Sequence, residues 1–189
     1  MSDFFSFENI ILILVALGIG TYLIVTGKKF KKNPASKYAV ITVETIKFTP
    51  KKDLLKAVLL NQFGAVKSVE EVEEIEAIVK KWTKGQSAVC SVHKSVSELA
   101  EISDIDTMVK YVEENAVQKT RINWVNRAYR GLLLVGAKEC AEEFNTLMNL
   151  EEIGMDDIEA WKKAVDHENP LALCADYIKA NPEMFVGEI

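Results

Sequence analysis

The sequence predicts an all-α protein, with an N-terminal single transmembrane helix followed by a compact bundle domain of about seven to eight helices. Three features predict it. Residues 9–27, NIILILVALGIGTYLIVTG, run for nineteen positions without a charge. From residue 49 onward, apolar side chains recur three and four positions apart, punctuated by capping residues, cap-plus-proline pairs and glycines. The one β-branched run, Val40, Ile41, Thr42, Val43, Thr45 and Ile46 within 37–48, has no second strand-like run to pair with. A lone strand is unstable, so this segment is assigned to helix.

A helix rises about 1.5 Å per residue, so residues 9–27 nearly match the ~30 Å hydrocarbon layer of a bilayer. Asp3 and Glu8 precede the run and Lys28 and Lys29 follow it, without the basic start and small-residue cleavage site of a signal peptide. A retained signal-anchor is expected. Lys28, Lys29, Lys31 and Lys32 follow the span and no base precedes it, so the positive-inside rule makes residues 1–8 a short extracytoplasmic tail. Residues 28–37 are then a basic juxtamembrane linker and 38–189 a cytoplasmic helical domain, in a single-pass protein of the cell membrane. The four lysines suit an anionic lipid surface. Ala16 and Gly20 form a small-xxx-small pair through which the span could form a homodimer.

In the domain, Thr49-Pro50 offers an N-cap with proline at the first helical position, Leu54, Leu55, Val58, Leu59 and Phe63 give an apolar face, and Gly64 is a natural stop. Ser68 and Glu71 make a capping box for a helix with Val69, Val72, Ile75, Val79 and Trp82 inward, closed by Gly85. Val89, Val92, Val96, Leu99 and Ile102 mark the next helix. Another begins at Ser103 or Asp104 and presents Ile105, Met108, Val109 and Val112. Helices over 119–135 and 137–149 follow, the second burying Cys140, Ala141, Phe144, Leu147 and Met148. Asp156 is the expected cap of a helix through Val165, and Asn169-Pro170 starts a last helix that ends before Asn181-Pro182.

Charge is uneven. Residues 1–56 carry 9 lysines against 4 acids, and residues 57–189 carry 14 bases against 24 acids. An acidic distal domain argues against nucleic acid as a partner. Cys90, Cys140 and Cys174 are odd in number and widely spaced, which fits buried thiols in a reducing compartment.

The helix over 119–135 carries the chain's three arginines, Arg121, Arg127 and Arg130. At 100° per residue, Asn123, Asn126, Arg127 and Arg130 share one face, opposite Ile122, Val125, Tyr129, Leu132 and Leu133. Such a face could bind an anionic ligand or an acidic partner, or it could pair with the glutamates at 70–76 and lock the bundle. Cys90 and His93 have the spacing of half a zinc site, but the chain's other histidine and cysteines do not complete the pattern. Adjacent carboxylates such as Glu70-Glu71 and Glu142-Glu143 do not converge on a helix, and no phosphate loop, nucleophile elbow or dinucleotide fingerprint occurs. No catalytic residue, metal or cofactor is expected. The expected function is that of a membrane-anchored binding module, an adaptor, regulator or inhibitor of another protein. The alternatives are an enzyme acting on an anionic or lipid-linked substrate, or a structural subunit of a membrane complex.

Overall fold

The computed structural model describes residues 41–67, 72–115 and 123–186, apart from the side chains of 63–67 and 72. These residues form nine α-helices and one 3-10 turn, with no strand among them. The helices are α1 (Val43–Phe48), α2 (Lys51–Lys67), α3 (Val72–Lys81), α4 (Lys84–Ala100), α5 (Ile105–Asn115), α6 (Trp124–Val135), α7 (Lys138–Asn149), α8 (Met155–Glu168) and α9 (Pro170–Ala180); the 3-10 turn is Pro182–Met184. The expected spanning segment, its lysines, the Ala16–Gly20 pair, Arg121 and the Ser68–Glu71 capping box lie outside the described residues. Among the described residues, no helix is long and apolar enough to cross a membrane.

The bundle is built around α4. Small residues dominate this helix, and Gly85, Ala88, Val89, Cys90, Ser91, Val92, Ser95, Val96 and Leu99 are all buried. Short side chains let neighbours approach on several sides, and α4 packs on α6, α9 and α2. The closest approach is at Gly131 of α6, where a Cβ would lie 2.8 Å from the Ala88 carbonyl oxygen and 2.8 Å from Val92 Cγ2. On the other side of α6, α7 and α8 form a helical hairpin held by Phe144 against Trp161, ring centroids 5.7 Å apart. The segment after α9 returns to the start of α4: Thr83 Oγ1 donates to the Met184 carbonyl at 2.8 Å, and Phe185 is buried beside Gly85.

Several boundaries differ from expectation for local reasons. Of the segment 37–48 expected to be helical, residues 43–48 are helix, Ile41 and Thr42 precede it without helical structure and 37–40 lie outside the described residues; Thr42 caps the helix by accepting from Thr45 N at 3.1 Å, and Ile46 is fully buried. Gly64 does not end α2, which continues to Lys67. Gly85 does not close α3. That helix ends at Lys81, and Thr83 with Gln86 forms the capping box of α4, so Gly85 lies in the first turn of α4. Asp156 does not cap α8; the next residue does, Asp157 Oδ2 accepting from Gly154 N at 2.8 Å. Ile105 and Leu133, expected inward, are 36% and 44% exposed. In α6 the buried positions are Ala128, Gly131, Leu132 and Val135, so the inward face is rotated toward small residues that fit against α4.

Candidate functional site

Asn123 opens α6 from a left-handed backbone, φ +48°, a conformation that asparagine tolerates better than most residues. Its Oδ1 accepts from Asn126 N at 3.0 Å, and this N-cap turns the chain into the helix with Asn126, Arg127 and Arg130 on one side. Arg127 is half-buried and its Nη1 donates to Ser87 Oγ of α4 at 2.6 Å, while Arg130 is exposed. All four predicted residues line one cleft of about 690 Å³ between α6, the end of α3 and the start of α4.

The opposite wall adds Lys80, Trp82, Thr83, Lys84 and Ser87, and Val79, Ala88, Gly131 and Leu134 form an apolar floor. The described lining therefore holds four bases and no acid. Lys80 pairs with Glu76 at 2.9 Å outside the lining. Thr83 and Asn123, the N-caps of α4 and α6, also line the cleft, with their helix-start N–H groups capped by side chains: Gln86 N donates to Thr83 Oγ1 and Asn126 N to Asn123 Oδ1. Trp82 is fixed by Trp124, 6.3 Å away, with Lys94 Nζ 5.7 Å from the centre of the Trp124 ring. This arrangement can hold an anionic group against an apolar surface. Compared with protein-family models, curated proteins and solved structures, the chain matches none.

Elsewhere the groups are structural. Cys90 is fully buried and its Sγ donates to Gln62 Oε1 at 2.8 Å; burial and then the nearby Cys174 push its pKa up, so it does not supply a thiolate. Burial also lifts the Cys140 and Cys174 thiols to about 12. Burial lowers the pKa of His93. Among the described residues, no three His, Cys, Asp or Glu side chains converge on a metal position. At the start of α7, the Glu168 carboxylate accepts from Glu139 N and Cys140 N at 3.1 and 2.8 Å. Burial pushes its pKa up, but these backbone donors outweigh that and hold it below the usual value.

Sequence reasoning did not find Lys80, Thr83, Lys84 or Ser87. One signal was present: Thr83-x-x-Gln86 is a capping-box pattern that marks a helix start at the point where Gly85 suggests a helix end.

Proposed function

We propose that the protein is a membrane-anchored, cytoplasmic helical binding module, an adaptor, regulator or inhibitor that holds an acidic group of a partner protein in the α3–α4–α6 cleft. The observation that carries this reading is a concave site lined by Lys84, Arg127, Arg130 and the Glu76-paired Lys80 beside an apolar floor, without an acid in its described lining. The uncharged run at 9–27 and the lysines after it support the anchor and the cytoplasmic placement. An enzyme also needs a concave site, but it needs an acid or base beside the bound anion, and the described lining offers neither carboxylate nor imidazole. Binding is what the cleft supports.

Trp82 in the cleft wall provides a direct test. Titration of the full chain with an acidic peptide should change tryptophan emission saturably, and the affinity should fall as salt rises. Lys84→Ala with Arg130→Ala removes two exposed charges and should weaken binding by roughly ten-fold or more per side chain, the value of a hydrogen bond to a charged group. In crosslinking from membranes, the same double variant should lose a partner that the wild type retains. Equal peptide affinity for wild type and double variant, with unchanged circular dichroism, refutes the proposal.

A further inference from the structure

Phe48 is 85% exposed, far more than any other large apolar side chain among the described residues. Its position is fixed by α1 itself. Ile46 is fully buried, and on a helix a residue two places on points about 200° away, so seating Ile46 in the core turns Phe48 outward. α1 is held by its contacts with α9 and the 3-10 turn, and Lys179 Nζ donates to the Lys47 carbonyl at 2.9 Å. The aromatic ring is therefore presented on a fixed support.

The surrounding charge is mainly basic. Lys47, Lys52 and Lys56 are exposed, the last two a helical turn apart on α2, while Lys51 pairs with Asp176. Glu44 is the exposed acid of α1. Only fifteen residues separate Gly27 from Val43. On the anchored reading, that linker bounds the distance of α1 from the bilayer at roughly 55 Å. We infer that Phe48, with the exposed Lys47 next to it in sequence and Lys52 and Lys56 on the following helix, is a docking point at which the domain rests on the anionic leaflet, with the ring at the lipid interface and the ammonium groups at the headgroups. This inference rests on the anchored reading of residues 9–27.

The test uses the full chain in vesicles. The native cysteines are buried, so Phe48→Cys admits a single polarity-sensitive fluorophore. In vesicles containing phosphatidylserine, lipids spin-labelled near the headgroup should quench it, whereas the same label at Leu133→Cys on α6 should stay unquenched. Lys52→Gln and Lys56→Gln should each shift the docked population roughly five-fold, about 1 kcal/mol per lysine near an anionic surface. An alkaline carbonate wash separates the two ways of failing. If the protein stays in the membrane and the label at 48 is unquenched, docking is wrong and the anchor stands. If the protein washes off, the anchor is wrong and the inference falls with it.

Discussion

Gly131→Ala tests the packing on which both the bundle and the cleft depend. In a helix interior, alanine is intrinsically better than glycine by about 0.5–1 kcal/mol, so propensity alone predicts stabilisation. The structure predicts the opposite sign. The new Cβ would stand 2.8 Å from the Ala88 carbonyl oxygen, 3.1 Å from Ala88 Cα and 2.8 Å from Val92 Cγ2. Two of those atoms are backbone of the central helix and cannot turn aside as a flexible side chain can. Overpacking of this kind costs about 1–3 kcal/mol. Subtracting the propensity gain leaves a net destabilisation of about 1 kcal/mol, or a fall in Tm of roughly 2–4 °C for a domain of this size. Thermal and urea unfolding followed by circular dichroism would measure it. Gly136→Ala is the contrasting case: no atom lies within 4 Å of its Cβ position, but its φ of +94° strains any side chain. Its loss of about 1 kcal/mol is conformational. A rise in Tm for Gly131→Ala would refute the close α4–α6 approach.

Other outcomes follow from single groups. Glu168→Ala leaves two N–H donors at the start of α7 uncapped and should cost about 1–2 kcal/mol by urea unfolding. Because the Glu168 pKa is lowered in the fold, this stabilisation is present above its ordinary value of 4.5 and is lost as pH falls through the lowered value. The two histidines should titrate on opposite sides of 6.5 by NMR. Burial depresses His93, so its contribution to stability is present above 6.5 and is lost on acidification. The hydrogen bond that His167 Nδ1 donates to the Glu139 carboxylate at 2.6 Å, and then that carboxylate's charge, raise His167, whose contribution is complete below 6.5 and fades as pH rises through the raised value; Glu139→Gln should return it toward 6.5. None of the three thiols should react with a disulfide reagent in the folded protein, and all three should react in denaturant.

The helices that sequence read well are those whose burial is one-sided. Val89, Val92, Val96, Leu99 and Ile102 recur at helical spacing, and all are buried. Periodicity could not reveal that Ala88, Ser91 and Ser95, flanking that stripe, are buried too, because small residues look neutral in a hydrophobic pattern. The same blindness explains α6. Leu133 outweighs Ala128 and Gly131 on any hydrophobicity scale, yet the small pair is buried and the leucine is 44% exposed, because contact with α4 selects for closeness rather than bulk. Half of the cleft was legible, since Asn126, Arg127 and Arg130 lie on one helix whose geometry fixes their angular spacing, although Asn123, expected within that helix, is its N-cap in a left-handed conformation. The other half comes from α3 and α4, about forty residues earlier, and no local rule brings Lys84 to Arg130.

The charge arrangement constrains what the cleft can accept. Residues 57–189 carry ten more acids than bases, yet the described lining of the cleft has four bases and no acid. At physiological salt, charges more than about 8 Å apart are largely screened, so the lining bases would dominate the interaction of a group already inside the cleft. An extended polyanion would also meet the net negative charge of the domain as a whole. On the proposed reading, the site would favour one compact anionic group carried on a largely apolar or neutral stretch of a partner. That preference agrees with the floor, where Val79, Ala88 and Leu134 reward an apolar neighbour of the anion, and it makes an isolated aspartate or glutamate beside a hydrophobic residue a better occupant than a run of acids.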